Sequence, residues 1–143
     1  MPSHVSPRER SHRITILLID DDKEDRTYWS NALRNSPDHY AILEADSGES
    51  GFNLFREHAV DCVVLELDMP ESGFFTLVRL IPDRKRPNVP VVILTRLMQP
   101  ALFELVKQSG AYACMVKHLS STEELTLTIQ QAMASVKSME NEA

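Results

Sequence analysis

Long apolar runs are missing from this chain. The longest, residues 14–19 and 89–94, are of strand length, far short of the roughly 20 residues that a membrane helix needs. The first 13 residues hold no apolar stretch that could serve as a signal sequence, so neither membrane insertion nor export is expected. Clustered basic charge is scarce too. The formal charge is -6 at pH 7, and a nucleic-acid surface, which gathers Lys and Arg on phosphates, is not expected. One basic cluster, residues 8–13, lies in a polar N-terminal segment, and Arg84, Lys85 and Arg86 read as a solvated loop. Cysteine is limited to Cys62 and Cys114, both inside strand-like runs and without metal-ligand spacing. Buried free thiols in a reducing cytoplasm fit this better than a disulfide.

What is present is an ordinary globular composition, 43% hydrophobic and 25% charged. A chain of 143 residues fits one domain that buries roughly 70% of its unfolded surface. Five strand-length apolar runs, residues 14–19, 40–45, 62–67, 89–95 and 112–116, alternate with longer amphipathic segments. That alternation predicts an α/β fold, a doubly wound parallel sheet with crossover helices. The first helix opens on the acidic residues 21–25 and is predicted to bury Tyr28, Trp29, Ala32 and Leu33. Gly48 opens the second, with Gly51, Phe52 and Phe55 inward. The third, residues 74–81, turns Phe74, Leu77, Val78 and Ile81 to one side and stops at Pro82. Pro100 starts the fourth, which ends near Gly110. Ser121 and Glu124 make a capping box for the last helix, and the tail after Lys137 is expected to fray.

In a doubly wound sheet the functional crevice lies beyond the carboxyl ends of the strands. There the first strand delivers Asp20, Asp21 and Asp22, and the third delivers Glu66 with Asp68 two residues on. Thr95 and Arg96 follow the fourth strand, and Lys117 and His118 the fifth. Hard oxygen donors of this kind suit a small divalent cation such as magnesium. Some cation is needed, because two carboxylates about 4 Å apart repel by roughly 4 kcal/mol at an effective dielectric near 20. Asp20 and Asp21 are assigned to this site, whereas Asp22 and Asp25 read as caps of the following helix.

These residues resemble, in order and spacing, the CheY-like receiver domains of bacterial two-component signalling. The resemblance rests on Ile-Leu-Leu-Ile-Asp20-Asp21-Asp22, on Asp61-Cys-Val-Val-Leu-Glu66-Leu-Asp68-Met69-Pro70, on Val-Val-Ile-Leu-Thr95, and on Gly110-Ala111 leading to Lys117. It implies a flavodoxin-like (βα)5 sheet in strand order 2-1-3-4-5. It divides the chain into a flexible N-terminal tail (1–13), a receiver domain (14–137) and a C-terminal tail (138–143). In that family an aspartate at the end of strand three takes a phosphoryl group from a histidine kinase, helped by magnesium. By resemblance Asp20 and Asp21 hold the metal and Asp68 lends its carbonyl. Thr95 binds phosphoryl oxygens and Lys117 neutralises the anion.

Several positions depart from the family pattern. Glu66 stands where the acceptor aspartate is expected, and its extra methylene carries the carboxylate about 1.5 Å further out. Acyl phosphate formation is then lost or weakened, and Glu66 imitates the phosphorylated state in part, with one negative charge in place of about two. Arg96 takes a position usually held by a small residue, and pairing with Glu66 or Asp68 would let it assume part of a metal's role. A weakly held or absent magnesium is the cofactor expectation. His118 replaces a proline, so a trans bond from Lys117 is predicted. Cys114 replaces a frequent aromatic, and the loop 69–73 is one residue short of the family's usual length.

The function expected is a non-enzymatic receiver acting through protein contacts. The partner would be a sensor histidine kinase or a downstream signalling protein, docked on the fourth helix (100–109), fifth strand (111–116) and fifth helix (121–136). These 143 residues contain no output domain, so the chain acts through another protein or is a piece of a larger one. Two alternatives stand beside it. One is a receiver still phosphorylated on Glu66 or Asp68, and the other a small metal-dependent hydrolase.

Overall fold

The computed structural model describes residues 13–70, 73–81 and 89–142. Five parallel strands form one sheet: β1 (Thr15–Ile19), β2 (Ala41–Ala45), β3 (Cys62–Leu65), β4 (Val91–Thr95) and β5 (Ala113–Val116). Their order is β2-β1-β3-β4-β5, the expected flavodoxin-like topology. The crossovers are α1 (Lys23–Arg34), α2 (Gly48–Glu57), α3 (Gly73–Leu80) and α4 (Pro100–Gln108), and α5 (Thr122–Glu142) closes the fold.

Alternation along the strands sorts side chains to two faces. Leu17, Ile19, Val63, Leu65 and Ile93 point to the side packed by α2, α3 and α4, where Phe52, Leu77, Leu80 and Val106 meet them. Ile16, Leu18, Val64, Val92 and Leu94 point to the other side, against Trp29 and Leu33 of α1 and Leu125, Ile129 and Ala132 of α5. The central strands β1, β3 and β4 are buried almost throughout, which is why they read as continuous apolar runs.

Several expectations are corrected. Tyr28 is 62% exposed, because spacing of i, i+4 turns Trp29 and Leu33 inward and leaves their neighbour outside. Val78 is likewise at the surface, while Leu77, Leu80 and Ile81 are buried. Strand β3 stops at Leu65, so Glu66 begins the following loop. α5 runs to Glu142, and the expected tail from 138 is helical that far. No glycine or proline lies between 122 and 142 to stop it. Arg13, assigned to the N-terminal tail, is tied down by donating to the carbonyls of His39 (3.1 Å) and Tyr40 (3.0 Å). Residues 1–12, Glu71, Ser72, Pro82, the basic run 84–86 and residue 143 lie outside the described residues. The capping box is as expected: Glu124 N–H donates to Ser121 Oγ at 3.1 Å and Ser121 N–H to Glu124 Oε1 at 2.9 Å.

Gly73 starts α3 directly behind the loop that carries Glu66. Its N–H donates to the Leu67 carbonyl at 3.2 Å, and a methyl group there would overlap the Leu67 backbone and the Glu66 carbonyl. Backbone cannot yield as a flexible side chain does. Gly73→Ala is therefore expected to lower stability by about 1–3 kcal/mol, measured by urea unfolding followed by circular dichroism.

Candidate functional site

The register of the sheet assembles the site. Ile19 pairs with Leu65, Leu65 with Ile93, and Thr95 with Val116. Strands β1 and β3 therefore end at one level and β4 and β5 end together two residues further on, so Asp20, Glu66, Arg96 and Lys117 all follow at the same edge of the sheet. Glu66 N–H donates to the Ile19 carbonyl at 3.0 Å, which extends the ladder one residue past β3 and seats Glu66 beside Asp20.

Glu66 is 1% exposed, yet both of its carboxylate oxygens are filled. Oε2 accepts from the Asp68 amide at 2.9 Å and from the Thr95 hydroxyl. Oε1 accepts from the Arg96 amide at 3.2 Å and lies 2.8 Å from Lys117 Nζ. Four donors from three loops hold one side chain. The Thr95 hydroxyl also accepts from Leu97 N–H at 3.1 Å.

Lys117 is the centre of charge. Besides Glu66, its ammonium lies 2.7 Å from Asp20 Oδ2 and 2.8 Å from Asp25 Oδ2. Burial opposes its charge, but the hydrogen bonds to Asp20, Asp25 and Glu66 outweigh burial and raise its pKa above the ordinary lysine value. Asp20 shows the opposite balance: burial raises its pKa, and the bonds to Lys117 and to the Asp22 amide recover only part of the rise.

Arg96 works on the outer side. Its terminal nitrogen is 3.0 Å from Asp22 Oδ2 and 3.1 Å from Asp25 Oδ2. Its Nε reaches Asp68 and Glu66 only at 3.9 and 4.0 Å. The expected pairing with Glu66 or Asp68 is thus the longer contact, and the hydrogen bonds go to α1. Asp22 caps α1 as expected, accepting from Asp25 N–H at 2.9 Å. That cap bond and the Arg96 contact hold its pKa below the usual carboxylate range. Asp22 and Asp25 were read from the sequence as caps alone. Their i, i+3 spacing on the first turn of α1, aimed at the ends of β4 and β5, is the signal that could have found them.

Whether Asp20, Asp21 and Asp68 suit a divalent cation depends on what they already hold. Asp20 offers Oδ2 to Lys117 and Oδ1 to the Asp22 amide at 3.0 Å. Asp21 is exposed, and the Asp68 amide donates to Glu66 Oε2 at 2.9 Å. Among the described residues no group of three or more His, Cys, Asp or Glu is gathered as metal ligands would be. A divalent ion about 4 Å from the guanidinium would meet roughly 8 kcal/mol of repulsion from it at an effective dielectric near 20, which offsets the attraction of one carboxylate at the same distance. As arranged, the donors do not fit the ion. Asp21, Asp22, Asp68 and Arg96 instead line an open cleft of about 780 Å³.

His118 is exposed in the turn Lys117–Leu119, and no cis peptide occurs among the described residues. Cys62 and Cys114 are free thiols, the first buried and the second half-buried.

With this geometry in view, the comparisons are specific. The family model for the response regulator receiver domain matches residues 16–130. The chain is 28% identical over 120 residues to the CAI-1 autoinducer sensor kinase/phosphatase CqsS of Vibrio cholerae, covering 82% of this chain and 17% of that protein. It is 29% identical over 121 residues to the response regulator GacA of Pseudomonas aeruginosa, covering 85% and 56%. It thus spans well under two thirds of either relative. A receiver domain protein from Clostridium thermocellum superposes with a TM-score of 0.78 at 25% identity, over 88% of this chain and 98% of that one.

Lys117→Met would leave Asp20 and Glu66 buried without their cation, and is expected to cost about 3–5 kcal/mol in urea unfolding at neutral pH. Lys117 binds its proton more tightly when folded. Its contribution is therefore complete below the ordinary lysine value of 10.5 and fades as pH rises through the higher folded value. The stability gap between wild type and variant should close in that alkaline range.

Proposed function

Because the chain belongs to the response regulator receiver family of two-component signalling, we propose that it acts by protein binding, with Glu66 as its resident anion. Aspartyl phosphorylation is lost or weakened in this scheme. The observation that supports it best is the filled carboxylate of Glu66. Thr95 and Lys117, the groups expected to meet a phosphoryl anion, already hold Glu66, and the amides of Asp68 and Arg96 complete the set. An incoming phosphoryl group would have to displace these bonds, each to a buried oxygen that is costly to leave unpaired. Mimicry is partial, because a carboxylate brings one charge and two oxygens where a phosphoryl group brings about two charges and three.

The partner proposed is a sensor histidine kinase or a downstream signalling protein, met on α4, β5 and α5. Leu105 on α4, Tyr112 at the entry to β5 and Leu127 on α5 are 45, 37 and 54% exposed, apolar area of the kind that contacts use. Output by binding rather than turnover, and a cytoplasmic setting, belong to the same proposal. Among the described residues no helix is long and apolar enough to cross a membrane.

Intact-mass measurement after incubation with acetyl phosphate and magnesium tests the proposal. Most molecules are expected to keep their mass, and Glu66→Asp to take up more phosphate than wild type. One phosphate on most wild-type molecules would overturn the proposal, and peptide mapping would then assign it to Glu66 or Asp68.

A further inference from the structure

We infer that Arg96 fills the cation position of this pocket, so that the chain keeps its receiver geometry with a cation of its own and without magnesium. This deepens the reading of Glu66 as resident anion and rests on it only for that anion's identity. One guanidinium stands among four acids from two loops: Asp22 and Asp25 at the start of α1, Glu66 and Asp68 after β3. These are the two loops whose acids a divalent ion would have to join. The Arg96 amide fixes the other end of the residue by donating to Glu66 Oε1, so backbone and side chain of one residue serve the same site. Arginine suits the task because its charge persists at every accessible pH and its planar fork reaches two carboxylates at once.

Two further features agree. Asp20, the buried acid, already has Lys117 on Oδ2 and the Asp22 amide on Oδ1. The guanidinium itself borders the open cleft beside Asp21 and Asp68, where an ion entering from solvent would arrive. Arg96 is thus a positioning residue: it ties the first turn of α1 to the end of β4.

Trp29 is the single tryptophan and borders the neighbouring cleft with Asp25, Arg96 and Lys117, so its fluorescence reports on the site. The experiment is a magnesium chloride titration without any phosphoryl donor, followed by Trp29 emission and by Tm. Wild type is expected to give no saturable response into the millimolar range. Arg96→Ala and Arg96→Ser, folded by circular dichroism, are expected to gain a saturable response and a Tm that rises with magnesium, an affinity increase of at least tenfold. A saturable wild-type response at submillimolar magnesium would overturn the inference, and so would flat titrations in both folded variants. If neither variant folds, the wild-type titration decides alone. Since no phosphoryl donor is present, failure here leaves the phosphate-uptake result standing, and the reverse also holds.

Discussion

The ammonium of Lys117 among Asp20, Asp25 and Glu66, at 2.7, 2.8 and 2.8 Å, is the contact on which the carboxyl edge of the sheet depends. Asp20 and Glu66 are nearly excluded from solvent and follow adjacent strands, so their charges would repel strongly in a low-dielectric setting. A lysine after β5 reaches back to acids after β1 and β3, and so joins the two ends of the chain. Pairs of this kind add little net stability over an apolar replacement, but removing one partner is severe. Moving either buried acid away from Lys117 would leave it unpaired, which ties the ends of β1, β3 and β5 to one another.

Given that lysine, the extra methylene of Glu66 becomes intelligible. Its carboxylate extends far enough to meet the Thr95 hydroxyl and the Arg96 amide together, and the pocket closes on itself. Phosphoryl chemistry on a carboxylate needs open positions around the acceptor for the transferred group and its neutralising charge. Here the positions are filled by the chain. Arg96 completes the same logic at the outer edge, where it pairs with Asp22 and shares Asp25 with Lys117.

The architecture was legible because it follows from local patterns. Continuous apolar strands, amphipathic crossovers and the Ser121/Glu124 cap each signal themselves within a few residues. The site was legible to the extent that strand ends define it, which covers Asp20, Glu66, Thr95, Arg96 and Lys117. Asp25 was less so: its i, i+3 spacing from Asp22 marks a shared helix face, but the cations it meets appear only when the first turn of α1 is set against the ends of β4 and β5. Tyr28 and Val78 show the same limit: helical periodicity says which residues share a face, while the edge of the buried stripe depends on the neighbour. The end of β3 lies two residues before the sequence reading put it, because Glu66 keeps one ladder bond to Ile19 and both Glu66 and Leu67 remain buried beyond the strand.

How such a pocket bears on binding follows from Thr95. Its hydroxyl is committed to Glu66 and at the same time accepts from Leu97 N–H, so the start of the loop into α4 is tethered to the resident carboxylate. Cys114, on the adjacent strand, offers no ring to respond to that position. Burial and the nearby charge of Glu66 also push its pKa up to about 11, which keeps the thiolate scarce at neutral pH. A ligand shifts a conformational equilibrium only by its differential affinity for the two states. With Glu66, Thr95 and Lys117 bonded to one another, the start of the loop into α4 is held by the chain's own charges, and in the scheme proposed here a partner would act by preferring one arrangement of that face.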